Sequence, residues 1–184
     1  MFRGADGEPV KVEWEELAIP GVLLSHGGRR RDERGSFAKV LGGRAPFIVA
    51  EVCWSTSAEG VVRGLHFQTP PNAQEKFVFV LKGAIRDLVV DLRVGSPTEG
   101  RMIEVELTPE TGGVLVPVGC GHGFESLQAD STVGYLLGAG FHADSDAGVS
   151  LSSLGYVPRS SRPLISVRDG GLPDIAKFRS PFTF

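Results

Sequence analysis

Residues 77–92 read FVFVLKGAIRDLVVDL, two apolar runs on either side of a Lys82-Gly83 pair. Continuous apolar runs of this length, without helical periodicity, are typical of buried β-strands. A glycine turn between two such runs is typical of a β-hairpin. The stretch therefore predicts two neighbouring strands joined by a tight turn.

Similar runs extend in both directions along the chain. Within 103–107, Ile, Val and Leu alternate with two Glu residues, the pattern of a strand with one wet face. Helical periodicity is weak and confined to 172–178, and we expect the Ser-rich segment 149–163 to form an ordered loop or lid rather than core. Many short strands separated by turns favour an all-β sandwich or barrel. The other strand candidates are 46–54, 61–67, 114–116, 123–127 and 133–137.

Length and composition narrow the class of protein. The 184 residues suffice for one domain, which we take to span 1–184, and the net charge of -3 lacks the basic excess of a nucleic-acid-binding protein. The two cysteines, Cys53 and Cys120, have no paired spacing, which fits a reducing compartment. Residues 1–6 contain no apolar signal region, and no apolar run has the length of a membrane span. We therefore expect a cytoplasmic protein with neither nucleic acid nor membrane as a partner.

The chemically informative residues cluster in a few short motifs. Residues 62–68 read VRGLHFQ, 74–77 read QEKF and 117–124 read PVGCGHGF; Tyr135 and an Arg168-Asp169 pair follow. A histidine between Leu and Phe, such as His66, is commonly a packed core residue. With the other motifs beside it, His66 instead suggests an acid–base site lined by the barrel.

The turn at 113–122 resembles the second signature of the cupins, a strand followed by Pro-x-Gly-x-x-His. The first signature of metal-binding cupins has two histidines one residue apart, whereas this chain has His66 and then Gln68. A catalytic metal takes at least three protein ligands, and His66 with His122 makes two. The sequence therefore predicts no bound metal and disfavours a metal-dependent cupin oxygenase.

Taken together, the motifs resemble the dTDP-4-dehydrorhamnose 3,5-epimerase family. The resemblance implies a cupin-type jelly-roll barrel with a short C-terminal helical segment. It also implies an isomerase of deoxysugar biosynthesis that needs no cofactor, forms a homodimer and inverts C3, C5 or both of a nucleotide-linked 4-keto-6-deoxyhexose. The matching pieces run in family order: DERGSF at 32–37, RGLHFQ at 63–68, QEK at 74–76, VDLR at 90–93, GSPT at 95–98, 117–124 and Tyr135.

The resemblance also implies catalytic roles. Inverting a carbon beside a carbonyl needs a base on one face, an acid on the other and stabilisation of the enolate oxygen. His66 matches the base, Asp169 its orienting carboxylate, Tyr135 the acid and Lys76 the cation beside the keto oxygen. The alternatives are an exposed turn acid for Asp169, a core phenol for Tyr135 and a surface lysine for Lys76.

Five further residues match substrate contacts. Arg34 and Arg63 match arginines that bind the diphosphate, since guanidinium groups suit phosphate oxygens. They are alternatively structural ion-pair partners of Asp32, Asp87 or Asp91, and we expect Asp87, Asp91 and Arg93 to be mainly structural. Phe37 matches an aromatic near the nucleotide, contributed by the neighbouring subunit. Gln68 belongs to the same substrate-binding set, and His122 either touches substrate or holds its turn.

The chain departs from the family pattern at several positions. Lys39 stands where the family usually has an acidic residue, and 136–141 is less polar than usual after the tyrosine. These changes leave the nucleotide, the sugar and the inverted carbons open, as well as the choice between rhamnose and specialised metabolism. Two other functions remain open: a ketoisomerase of similar sugars, and a non-catalytic sugar-nucleotide-binding module.

Overall fold

The computed structural model describes residues 11–42 and 47–184. Residues 1–6, on which the expectation of no signal segment rests, and the start of the predicted strand 46–54 lie outside these ranges. The strands are β1 (Glu13–Glu16), β2 (Leu23–His26), β3 (Gly28–Asp32), β4 (Gly35–Lys39), β5 (Glu51–Ser57), β6 (Val61–Gln68), β7 (Lys76–Lys82), β8 (Ile85–Asp91), β9 (Met102–Leu107), β10 (Gly113–Val116), β11 (Cys120–Ser126), β12 (Ser131–Leu137), β13 (Asp146–Gly148) and β14 (Leu164–Ile165). One short helix, α1 (Val167–Gly170), and 3-10 turns at Ala143–Ser145, Leu151–Leu154 and Ile175–Lys177 complete the described elements.

Most of the strands form two sheets. The first sheet has the order β1-β2-β10-β7-β12-β5, and the second has the order β13-β6-β11-β8-β9. Neighbours within both sheets are antiparallel, and the short β14 adds to β6 in parallel. β3 and β4 form a separate antiparallel hairpin. The all-β prediction is confirmed.

Two hydrophobic cores hold the sheets in place. The first combines side chains of both sheets, among them Val78 of β7 and Val89 of β8. The second core packs the C-terminal segment against β6 and β8, including Leu88 and Val90. Because β8 contributes alternate residues to the two cores, its sequence is apolar on both faces.

The predicted hairpin at Gly83 is wrong. β7 belongs to the first sheet and β8 to the second, so the turn carries the chain from one layer to the other. Ser131 supports this crossover, because its Oγ donates to the carbonyl oxygen of Ala84 at 3.0 Å. β7 is also less buried than its apolar run predicts, since Leu81 is 54% exposed.

The expectation that 149–163 lies outside the core is also wrong. The segment is ordered and includes a 3-10 turn, as a loop would be, but Val149, Leu151 and Tyr156 are buried in the second core. These apolar side chains are spaced among serines, which hides their pattern in the sequence. The helical signal at 172–178 corresponds to the 3-10 turn Ile175–Lys177, while α1 ends before it.

Candidate active site

A cavity of about 140 Å³ lies between the two sheets, and polar side chains from both sheets line it. Arg63 and His66 of β6 and His122 of β11 come from the second sheet. Lys76 of β7 and Tyr135 of β12 come from the first sheet. The cavity therefore brings together five of the nine residues predicted for the site.

A larger cavity of about 450 Å³ adjoins it and shares Arg63 and His66 in its lining. Ser166, Arg168 and Asp169 belong to its wall. Its volume is within the range of small-molecule binding sites. Two guanidinium groups beside this opening suit an anionic ligand.

His66 and Asp169 form a hydrogen-bonded pair. Nε2 of His66 lies 2.6 Å from Oδ1 of Asp169, and the aspartate is buried. An ionised carboxylate only accepts hydrogen bonds, so Nε2 of a neutral ring carries the proton and the lone pair is on Nδ1. Burial lowers the pKa of His66, an effect that Asp169 opposes and that the cations of Arg168 and Lys76 reinforce. A neutral imidazole with a free lone pair can accept a proton from a bound molecule.

The other oxygen of Asp169 holds the backbone of β6. Oδ2 accepts a hydrogen bond from the N–H of Gly64 at 3.1 Å. Ser166 caps the N-terminus of α1 and holds the backbone of Asp169, because its Oγ accepts a hydrogen bond from the Asp169 N–H at 3.0 Å. Asp169 is therefore a buried site residue, which excludes the alternative of an exposed turn acid.

Gly64 lets β6 approach β11 closely beside the site. Its φ is +111°, and a Cβ at this position would lie 2.6 Å from the Cα of Gly123. The register between β6 and β11 shifts here, so His66 pairs with His122 while Arg63 pairs with Phe124. Glycine is needed because an L side chain meets both the backbone of β11 and an unfavourable φ.

Lys76 reaches from the first sheet towards His66. Its Nζ donates to the carbonyl oxygen of His66 at 3.0 Å. Desolvation lowers the pKa of Lys76 to about 8, against the opposing effects of Asp146 and Asp87. The surface-lysine alternative is therefore wrong, because the ammonium group lies in the cavity wall.

Tyr135 lines the wall opposite His66. Its hydroxyl lies 3.2 Å from Oγ of Ser55, and its ring meets the ring of His122 edge-on at 6.4 Å between centroids. Burial raises the pKa of Tyr135 to about 12. The phenol is thus neutral over the ordinary pH range and can donate a proton.

His122 forms a second buried pair, with Asp87. Nε2 of His122 lies 2.7 Å from Oδ1 of Asp87, while Oδ2 of Asp87 has no hydrogen-bond partner among the described residues. Asp91 is structural, as predicted, because Arg93, Ser96 and Thr98 all donate hydrogen bonds to its carboxylate. Burial acts to raise the pKa of Asp91, but these hydrogen bonds lower it to about 2. Asp87, by contrast, supports a ring in the cavity wall.

Gln68 is engaged within the chain. Its amide nitrogen donates to the carbonyl oxygens of Asn72 and Gly140, and its Oε1 accepts the N–H of His142. The amide protons therefore hold two loops, one after β6 through Asn72 and one after β12 through Gly140. A direct contact between Gln68 and substrate stays a prediction.

Arg34 and Phe37 lie on the β3–β4 hairpin, and neither lines the two cavities described above. The Arg34 guanidinium pairs with Asp32, which is one of the ion pairs predicted as an alternative. Arg63 differs, because it lines both cavities while its Nε donates to Ser57 at 3.1 Å.

Asp146 and Ser55 were missed from the sequence, and Arg168 was named there only as the neighbour of Asp169. Arg168 lies beside His66, with Nη1 3.1 Å from Nε2 of the imidazole, and its Nη2 donates to Asp146 at 2.6 Å. Ser55 holds the phenol of Tyr135. The position of Arg168 next to Asp169 was its signal in the sequence. Asp146 and Ser55 had no such signal, because their contacts exist only in the folded chain.

Among the described residues, a metal-binding cluster and a membrane-spanning helix are both absent. No group of three or more His, Cys, Asp or Glu side chains is arranged to hold a metal ion in 11–42 and 47–184. Within the same ranges, no helix has both the length and the apolar character needed to cross a membrane.

These features define an all-β barrel protein with a cavity lined by histidine, lysine and tyrosine side chains, the residue types that acid–base enzymes use. Residues 16–177 match the family model described as dTDP-4-dehydrorhamnose 3,5-epimerase. A curated enzyme of that name from Sinorhizobium fredii is 35% identical over an alignment that covers 95% of each chain. The chain belongs to the dTDP-4-dehydrorhamnose 3,5-epimerase family, whose members are isomerases.

Solved structures agree with this assignment. NovW, a 4-keto-6-deoxy sugar epimerase from the novobiocin cluster of Streptomyces spheroides, has a TM-score of 0.85 and 33% identity, covering 90% of this chain and 88% of its own. ChmJ, a 3'-monoepimerase from Streptomyces bikiniensis solved with dTDP-quinovose, has a TM-score of 0.80 and 33% identity, covering 87% and 86%. The predicted cupin-type jelly roll and the predicted class, an epimerase of deoxysugar biosynthesis, are confirmed.

Proposed function

We propose that the chain inverts C3, C5 or both of a dTDP-linked 4-keto-6-deoxyhexose by proton transfer between His66 and Tyr135. One observation carries the proposal. His66, which is paired with Asp169, and the Tyr135 phenol belong to opposite sheets and line the same cavity, together with Lys76. Inversion requires this separation of acid and base, because the proton must leave one face of the carbon and return to the other.

The steps follow from the side chains. His66 takes the proton from the carbon beside the carbonyl, and Asp169 stabilises the imidazolium that forms. The electron pair moves to the keto oxygen, where the Lys76 ammonium stabilises the enolate. Tyr135 then gives its phenolic proton to the opposite face of the same carbon. Exchange with water restores both groups, so no redox reagent is needed.

The diphosphate suits the larger cavity. Arg63 and Arg168 belong to its lining, and guanidinium groups pair well with phosphate oxygens. The dTDP identity rests on the relatives, since ChmJ was solved with a dTDP-sugar. Lys39 on β4 argues for a contact to the nucleoside that differs from the usual acidic one, because an ammonium group donates and does not accept.

We propose a homodimer in which β5 meets a second copy. β5 is the edge of the first sheet, and its outward row includes Val52, 61% exposed, and Trp54, 70% exposed. An exposed apolar edge strand is prone to pair with another chain. In such a dimer the β3–β4 hairpin would bring Arg34 and Phe37 to the partner's cavity.

The dimer has its own experiment. We expect Trp54→Lys to give a monomer by light scattering, while Val157→Lys, which changes an equally exposed apolar residue outside β5, leaves the dimer intact. Mixing Arg34→Ala with His66→Ala should restore activity if Arg34 serves the other subunit's site. A dimeric Trp54→Lys variant, or no rescue on mixing, would contradict this arrangement.

The catalytic experiment is incubation with dTDP-4-keto-6-deoxyglucose in deuterated water. We expect deuterium at C3, C5 or both, with an inverted product at each labelled carbon. Migration of the carbonyl to another carbon would identify a ketoisomerase instead. Tyr135 disfavours that function, because an acid on the opposite wall is what inversion needs. Binding of the sugar nucleotide without any exchange would identify a binding module and overturn the proposal.

We also propose that the chain is a single cupin domain located in the cytoplasm. Val89 and Val90, adjacent on β8, belong to the two different cores, which supports one folding unit. Both cysteines are free thiols, which is consistent with a reducing compartment.

A further inference from the structure

The segment that carries Asp169 runs along the edge of the second sheet. After the buried Tyr156, the chain exposes Val157, Arg159 and Arg162 before β14 joins β6. Exposed side chains bury little apolar surface, so packing alone does not hold this part of the segment in place. Hydrogen bonds to a carboxylate of the second sheet hold it instead, and this carboxylate is the anchor of the segment.

Glu125 on β11 is 1% exposed and receives three hydrogen bonds from the segment. The Tyr156 hydroxyl donates to Oε2 at 2.6 Å, and the Arg159 N–H donates to the same oxygen at 3.0 Å. The Ser160 N–H donates to Oε1 at 2.9 Å. Burial acts to raise the pKa of Glu125, but these bonds hold it below its ordinary value. Hydrogen bonds to an ionised carboxylate are stronger than neutral ones.

A continuous set of bonds connects this anchor to the site. Beyond Ser160, the N–H of Leu164 donates to the Gly60 carbonyl at 2.9 Å, and β14 pairs with Val61 and Val62. Ser166 then caps α1 and holds the N–H of Asp169. The Glu125 contacts therefore fix the start of the strand–helix unit whose end delivers the carboxylate to His66.

We propose that Glu125 is a positioning residue for the His66–Asp169 pair. It does not line either cavity of the site, and it acts by setting where α1 presents Asp169. The proposal rests on the proposed role of His66 as the base, because only then does the placement of Asp169 affect turnover.

The test is Glu125→Gln, which keeps the shape of the side chain but replaces one accepting oxygen with an NH₂ group. That group cannot accept a hydrogen bond from the backbone N–H that it faces. We expect kcat to fall about tenfold or more, as misplaced catalytic groups do, with KM changed less than about twofold. We also expect the acid limb of the pH profile to move to lower pH, as in Asp169→Asn, because Asp169 raises the pKa of His66. Glu106→Gln is the matched control, since Glu106 pairs with Arg159 of the same segment at the surface and should leave activity unchanged.

A double-mutant cycle separates positioning from general stability. In the Asp169→Asn background, Glu125→Gln should lower kcat less than about twofold, because the residue it positions has lost its function. Additive losses, or a lower melting temperature with kcat and the pH profile unchanged, would overturn the proposal. If Glu125→Gln does not fold, Tyr156→Phe removes one of the three bonds and should shift kcat and the acid limb the same way. Full activity of His66→Ala would instead overturn the proposed function.

Discussion

The Nζ of Lys76 donates a hydrogen bond to the backbone carbonyl oxygen of His66, 3.0 Å away. This bond crosses from the first sheet to the second, so it fixes the Lys76 ammonium group relative to His66, the proposed base. An ammonium group has three protons, and two remain for the substrate oxygen. The protein itself therefore holds the two groups that we propose as base and cation close together.

His66→Ala should lower the rate of deuterium exchange by about 10²-fold or more, because it removes the general base. Exchange at the sugar carbons is measured by NMR in deuterated water. His26→Ala is the control, since His26 is an exposed histidine that pairs with Glu15 outside the site, and this variant should catalyse exchange at the wild-type rate. A loss below about tenfold would show that another group takes the proton.

Tyr135→Phe should separate exchange from inversion. His66 and Lys76 remain, so deuterium still enters from the original face, while the epimer yield falls by about 10²-fold. Ser55→Ala, which removes the 3.2 Å partner of the phenol, should reduce the epimer yield less. An unchanged yield in Tyr135→Phe would mean that this phenol only packs.

The pH dependence of kcat/KM should be bell-shaped. The base must be neutral, so the rate falls as the pH drops through the pKa of His66, which burial sets below 6.5. Lys76 must be charged, so the rate falls again as the pH rises through about 8. Tyr135, with a pKa of about 12, stays protonated across this range.

Two variants assign the alkaline limb. We expect Lys76→Met to lose most of its activity and to show no alkaline limb. The pH profile of deuterium exchange catalysed by Tyr135→Phe should still show the alkaline limb near pH 8. An alkaline limb above about pH 10, in the range of an ordinary lysine or tyrosine, would contradict the assignment to Lys76.

Gly64→Ala should destabilise the chain and impair the site together. The added Cβ meets the Cα of Gly123 at 2.6 Å, and a positive φ adds about 1–3 kcal/mol of strain. Gly95→Ala is a matched control, because Gly95 also has a positive φ but no atom within 4 Å of the added Cβ. Thermal unfolding should show a larger loss for Gly64→Ala, and equal losses would rule out the close approach of β6 and β11 as its cause.

Much of the site follows from the sequence because its residues lie in short contiguous motifs. His66, Lys76 and Tyr135 each fall on a strand whose apolar pattern was visible, and all three line one cavity. Asp169 is distant in sequence from His66, and it was found through the resemblance rather than through any local pattern. Ser55 could not be found in this way, since its contact with Tyr135 depends on the pairing of β5 and β12.

The errors have physical causes as well. A glycine turn has the same local sequence whether the next strand pairs with its predecessor or enters the opposite layer, so the turn at Gly83 was mistaken for a hairpin. The strands β1 to β4 were missed because they are short, and most of their residues are polar or exposed. Tyr156 was assigned to a loop because serines surround it, although it packs in the second core.

The edge of β6 is closed partly by a side chain. β13 pairs with β6 from His66 to Gln68 and β14 pairs with Val61 and Val62, while the amide of Gly64 between them donates to Asp169. A free amide on a sheet edge is a place where a foreign strand can add. The carboxylate that pairs with the imidazole of His66 therefore also completes the edge of β6, and a change at Asp169 removes both hydrogen bonds at once.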